Sequence, residues 1–145
     1  MKIAVINGPN LNLLGSREPE VYGDRPFEDY LDELAASYDE VEFSYAQSNV
    51  EGQIVNLLQF FAREVDGIIL NAAGYSHTSV AIADAIRAIT VPVAEVHISN
   101  VHAREPFRHT LLSGAVCLGI VSGFGLDGYR LALEGLIHHL RSKAQ

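Results

Sequence analysis

Residues 1–23 read MKIAVINGPNLNLLGSREPEVYG. Residues 3–6, Ile-Ala-Val-Ile, form a short apolar run that stops at Asn7-Gly8-Pro9-Asn10. Two isoleucines and a valine in four positions fit a strand buried on both faces, as in a parallel sheet. The loop that follows, residues 7–25, is long for a strand-to-helix connection, where about 2–6 residues are usual. Leu11, Leu13 and Leu14 are expected to pin its first half, leaving residues 16–23, with Arg17, Glu18 and Tyr22, exposed. A buried first strand that runs straight into a long loop presents that loop for use.

Outward from that strand the pattern repeats. Asp24 and Pro26 mark a helix start, and Phe27, Tyr30, Leu31, Leu34 and Tyr38 recur at helical spacing. Val41, Phe43 and Tyr45 alternate with polar residues, which predicts a half-buried strand near a sheet edge. Ser48 and Glu51 resemble a capping box ahead of a helix carrying Ile54, Leu57, Leu58, Phe61 and Val65. Residues 68–70 are a fully apolar strand ending at Asn71, followed by a loop to His77. Residues 80–89 read as a helix broken in its apolar run only by Asp84 and Arg87. Such a helix should bury against something besides the sheet, such as another subunit. Residues 91–98 and 116–122 read as strands four and five, and residues 128–143 as the closing helix. Five strand–helix units predict one α/β domain, residues 1–145, with a parallel sheet covered on both faces.

Composition narrows the function. The chain has 145 residues, 48% of them apolar, enough for a core without staples. Its single cysteine, Cys117, excludes an internal disulfide framework and suits a reducing compartment. No apolar run is long enough for a spanning helix and the start lacks a signal-peptide pattern, so the cytoplasm is the expected location. A formal charge of -8 argues against nucleic acid as a partner. Yet His97, His102, Arg104, Arg108 and His109 fall in one segment, a cationic patch on an acidic body that suits a small anion.

In an open parallel sheet, ligands bind beyond the carboxyl ends of the strands, where strand order reverses. Strand one delivers Asn7, Asn10, Arg17 and Tyr22 to that edge, and strand three delivers Asn71, Ser76 and His77. Strand four delivers His97, Ser99, Asn100, Arg104 and Arg108. Amide, hydroxyl, imidazole and guanidinium groups around one crevice suit a polyhydroxylated carboxylate. Each has a plainer reading beside it. Asparagines form turns after strands. Tyr22 could anchor its loop, Arg17 and Glu18 could pair, and His77 and His97 could be core-edge histidines. Asp84, about two helical turns past His77, either orients an imidazole or serves only local polarity.

Two patterns mislead. Gly123-Phe124-Gly125-Leu126-Asp127-Gly128 matches G-x-G-x-x-G, but only 17 residues follow it and they read as a helix. A dinucleotide site needs a further strand and an acid there, so close strand–helix packing explains the glycines better. The histidines do not fall at metal-ligand spacing: His138 and His139 point to different sides of a helix. Cys117 is expected mid-strand in the core.

The segments NGPNLNLLGSREPEVYG, QSNVEGQIV, ILNAAGYSHTSVAI, VAEVHISNVHAREPFR and GFGLDGYRLAL cover the chain nearly end to end. In these the sequence resembles the type II 3-dehydroquinate dehydratases, the small dehydroquinases of the shikimate pathway or quinate breakdown. Two departures stand out. Val50 replaces a usual histidine after Gln47-Ser48-Asn49, and Thr110-Leu111-Leu112 stands where Ser-Tyr is usual. The resemblance implies a flavodoxin-like three-layer sandwich with a five-stranded parallel sheet of order 2-1-3-4-5. It implies anti elimination of water from 3-dehydroquinate, giving 3-dehydroshikimate, without metal, nucleotide or Schiff-base lysine. By match to the family, Tyr22 is the general base, His97 the general acid, and Arg17 the arginine beside the tyrosine. Asn10 matches the residue that holds a water near the developing enolate. Asn71, His77, Asp84, Ile98, Ser99 and Arg108 match the substrate-binding set, with Glu95 and Arg104 in support. The family assembles as a homododecamer.

The chemistry accounts for these groups. Removing a proton α to a ketone leaves an enolate. A phenol ordinarily holds its proton to about pH 10, and a cation beside it favours the charged form. Arg17, five residues before Tyr22 on the same loop, is the candidate for that cation. A water held by Asn10 could donate to the enolate oxygen. His97 can protonate the leaving hydroxide, with Glu95 to orient it, and Arg108 offers a fork for the substrate carboxylate. The competing classes are a receiver or flavin carrier and a non-enzymatic anion-binding module. A receiver needs acids at the strand ends and a lysine, where this chain has asparagines and only Lys2 and Lys143. A binding module would hold the ligand without turnover.

Overall fold

The structure is a computed structural model and describes residues 1–16 and 18–145, with Val21 described by its backbone alone. Arg17 therefore lies outside the described residues.

Strand β1, Lys2–Asn7, is buried from its second residue onward. It lies between β2, Glu42–Gln47, and β3, Gly67–Asn71. Strands β4, Val93–His97, and β5, Gly119–Ser122, complete a parallel sheet of order β2-β1-β3-β4-β5, as expected. Side chains alternate along each strand. Ile3 and Val5 therefore face one helix layer and Ala4 and Ile6 the other. The first layer holds α2, Phe27–Ala36, and α5, Asp127–Lys143; the second holds α3, Glu51–Phe61, and α4, Val80–Ala88. Fully burying one such isoleucine or valine contributes about 1.5–3 kcal/mol, so the three inner strands carry much of the core.

The starts of two strands and one helix cap depart from the sequence reading. Strand four begins at Val93, because Pro92 has no N–H and serves the ladder only through its carbonyl, which accepts from Ile68. Strand five is shorter still: residues Gly114–Val116 form a 3-10 turn, and Cys117 lies before the strand, partly buried. The Ser48–Glu51 capping box does not form. Ser48 Oγ donates to Gln53 Oε1 at 2.6 Å and accepts from the Val50 amide.

The apolar character of α4 has a local cause, since Ile82, Ala85 and Ile86 share one core with Ile54, Leu58 and Phe61 of α3. Gly128 opens α5 against the sheet: an added Cβ would stand 3.3 Å from Val96 Cγ1, in keeping with the packing reading of the glycines. The long first loop is not bare coil. Leu11–Leu13 form a 3-10 turn, Leu11 and Leu14 are buried, and Pro19–Tyr22 form one helical turn, α1.

Candidate active site

The sheet order reverses between β1 and β3, and a crevice of about 300 Å³ opens beyond their carboxyl ends. In register, Asn7 stands beside Asn71, and both are buried. The Asn71 side chain is fixed from two sides. Its Nδ2 donates to Tyr129 Oη at 2.9 Å, and its Oδ1 accepts from the Ala73 amide at 3.1 Å. Ala73 has φ 52°, an uncommon conformation for a residue with a side chain, and the Asn71 bond holds it there. The same Tyr129 hydroxyl donates to Asn7 Oδ1 at 2.7 Å.

From β1, Asn10 and Tyr22 line the crevice. Asn10 takes the left-handed conformation, φ 70°, and its amide donates to Asn49 Oδ1. Tyr22 ends α1, and its phenol oxygen accepts from Arg104 Nη1 at 3.1 Å. From β4 and the loop after it come His97, Ile98, Ser99, Arg104 and Arg108. Arg104 also donates to Ser99 Oγ at 3.4 Å. Arg108 is paired with Glu105 at 2.7 Å.

The imidazoles of His77 and His97 stack with ring centres 6.0 Å apart. His77 Nδ1 lies 2.9 Å from the Thr110 carbonyl. A carbonyl only accepts, so Nδ1 carries the hydrogen and Nε2 keeps its lone pair. Burial, ahead of all other causes, pushes His77 below its usual value, with the neighbouring His97 and Arg108 acting in the same direction. His97 differs. Its Nε2 lies 3.0 Å from Glu95 Oε2, so that nitrogen is the donor. Glu95 does not line the crevice; it is fully buried behind His97.

Nine of the residues expected at the site thus line one crevice, and Glu95 stands behind them. Asp84 is elsewhere: on its own chain it sits on the exposed side of α4, 3.0 Å from Arg87. Sequence reasoning missed Tyr129, in the first turn of α5. It also missed the hydroxyl of Ser113, buried with Ser76 around Glu95. The signal was present in Glu95 itself, because an acid inside an apolar strand requires donors. Glu18 and Glu105 line the crevice as well, so its charge is mixed rather than purely cationic.

A doubly wound parallel sheet with a phenol, two imidazoles and two guanidiniums gathered at its switch point has the form of an α/β enzyme site, its groups able to bind an anion and to exchange protons. The family model Dehydroquinase class II matches residues 1–137, and the chain belongs to that family. A 3-dehydroquinate dehydratase of Exiguobacterium sp. is 54% identical over 144 residues, covering 99% of each chain. One from Fusobacterium nucleatum is 51% identical, covering 96% of this chain and 98% of its own. The crystal structure of the type II dehydroquinase from Butyrivibrio crossotus shares the fold with a TM-score of 0.90. That protein is 43% identical, over 94% of this chain and 97% of its own.

Proposed function

We propose that this chain dehydrates 3-dehydroquinate to 3-dehydroshikimate through an enolate, with Tyr22 as base and His97 as acid. The observation that carries this reading is the contact between Arg104 and the Tyr22 oxygen, in a crevice that also holds His97. Ionised Tyr22 takes the proton from the carbon α to the ketone, and the electron pair moves onto the carbonyl oxygen. A guanidinium N–H aimed at the phenol oxygen makes a stronger, charge-assisted bond once that oxygen is ionised. The enolate then re-forms the ketone, a carbon–carbon double bond forms, and the hydroxyl on the β carbon leaves. His97 gives it a proton, so water departs. The proton gained by Tyr22 and the one lost by His97 balance through solvent.

The sequence placed Arg17 beside the tyrosine, and that role is kept as part of the proposal. Arg104 supplies a second cation. Asn10 would hold a water near the enolate oxygen. Asn71, the Ile98–Ser99 segment and neutral His77 would bind the substrate's oxygens, and Arg108 its carboxylate. Asp84 faces away from its own crevice, so a substrate contact from it requires a second copy of the chain. An assembly of copies, a homododecamer by family resemblance, is part of this reading, with a cytoplasmic location. Leu118, just before edge strand β5, and Ile120 on it, exposed at 48% and 45%, support the assembly, which light scattering would test. No helix among the described residues is long and apolar enough to cross a membrane.

The test of the activity is direct. Pure protein is mixed with 3-dehydroquinate and the conjugated enone absorbance is followed. Growth of that signal is expected, and binding without it would leave only an anion-binding module.

A further inference from the structure

We propose that Ser113 is a positioning residue for the dehydration: its hydroxyl, together with that of Ser76, seats the buried carboxylate of Glu95 and through it the ring of His97. This rests on the reading of His97 as the acid.

Glu95 lies on β4 between Leu70 and Ile120 in register and has no exposure. A carboxylate there must be fully hydrogen-bonded to be tolerated. Its two oxygens have different partners. Oε2 faces His97 Nε2 at 3.0 Å. Oε1 accepts from Ser113 Oγ and, at 3.3 Å, from Ser76 Oγ. The hydroxyls hold one end of the carboxylate so that the other end meets the imidazole. The fit leaves no slack: a Cβ on Gly114 would stand 2.7 Å from Glu95 Oε2 and 2.6 Å from Ile120 Cδ1.

Ser113 ends a segment that supports the second imidazole too. The Thr110 carbonyl accepts from His77 Nδ1 at 2.9 Å, and the Leu112 amide donates to the Ser76 carbonyl at 2.7 Å. Residues 110–113 therefore touch the supports of both rings without lining the crevice. Without the Ser113 hydroxyl, Oε1 keeps only the Ser76 bond. The carboxylate can then turn, and Nε2 loses its fixed partner. The loss falls on proton delivery, because the groups that would bind substrate are untouched.

Wild-type turnover of 3-dehydroquinate comes first, and its absence would defeat the assigned activity rather than this inference. With turnover established, Ser113→Ala is expected to lower kcat about tenfold while KM stays within twofold. Added to Glu95→Gln, it should cost less than a further twofold, because the group it acts through is already gone. Should Glu95→Gln fail to fold, Ser76→Ala takes its place, and removing both hydroxyls should cost more than the product of the single losses. Unchanged kcat in Ser113→Ala would overturn the proposal, as would a loss appearing mainly in KM or one that multiplies fully with Glu95→Gln.

Discussion

Arg104 donates to the Tyr22 phenol oxygen at 3.1 Å, joining the loop after β4 to the helical turn that ends the loop after β1. The two residues are 82 positions apart, so the pairing exists only because β1 and β4 end at the same edge of the sheet. If Tyr22 is the base, Tyr22→Phe should lower kcat about 10²–10⁴-fold, the usual reach of general base catalysis, while substrate still binds. Arg104→Gln should lower kcat about 10–100-fold by removing a charge-assisted bond. Combined with Tyr22→Phe it should cost little more. Steady-state kinetics on the three variants decide the matter, and near-normal kcat in Tyr22→Phe would exclude the tyrosine.

Arg108 has an internal partner where a substrate carboxylate would bind. Its Nε lies 2.7 Å from Glu105 Oε2. The carboxyl of Glu105 is held below its usual range, first by its own backbone amide and then by Arg108, so it is charged at neutral pH and competes for the same fork. Arg108→Ala should raise KM about tenfold or more, the scale of one lost charge-assisted contact. Glu105→Gln should lower KM modestly. Calorimetric titration with a non-reacting carboxylate analogue checks both, and equal affinity in Arg108→Ala would remove the clamp.

The fold was legible in the sequence where one signal dominated. Residues 3–6 and 68–70 have no polar member and no turn former, so burial on both faces had no competitor. Strand five failed at its start because residues 116–118 are as apolar as a strand, while hydrogen bonding closes the preceding 3-10 turn instead. The site was legible wherever a polar residue ended an apolar strand, as Asn71 and His97 do. It was not legible where a partner arrives from a distant element. Tyr129 lies in a helix whose periodicity explains it without a hydroxyl, and Ser113 lies in a segment with no pattern at all. Arg104 sat in the expected loop, but only three-dimensional proximity shows that it reaches the phenol.

His77 titrates below its usual value, with burial as the first cause. The sign follows from linkage. The unfolded chain takes up this proton near pH 6.5, while the folded chain takes it up only at lower pH. Stability from this group is complete above about pH 6.5 and is lost as the pH falls toward the folded value. His77→Gln should therefore flatten the drop in thermal midpoint between about pH 6.5 and 5. An unchanged pH dependence of the midpoint would show that folding leaves the proton affinity of His77 unaltered.

Cys117 is partly buried, and burial, with Glu95 adding to it, pushes its thiol up to about 12. The thiolate is the reactive form. Native protein at pH 8 should therefore react with an aromatic disulfide reagent at least tenfold more slowly than protein in denaturant. Equal rates would place the thiol in open solvent.

Tyr129 lies under the crevice with no exposure, and its hydroxyl donates to Asn7 while accepting from Asn71. Burial pushes the phenol far above its ordinary value, so it remains a donor throughout the working range. Tyr129→Phe keeps the ring, which packs at 4.8 Å from Phe27, and removes both bonds at once. Two buried amides then lose a partner, at a cost of about 1–3 kcal/mol each where nothing replaces it. The denaturation midpoint should fall accordingly. Because Asn71 also fixes the left-handed Ala73 at the start of the turn that carries His77, the damage should extend to substrate binding. KM is expected to rise severalfold, with kcat less affected because Tyr22 and His97 are untouched. A variant that loses stability but keeps wild-type KM would confine Tyr129 to the core.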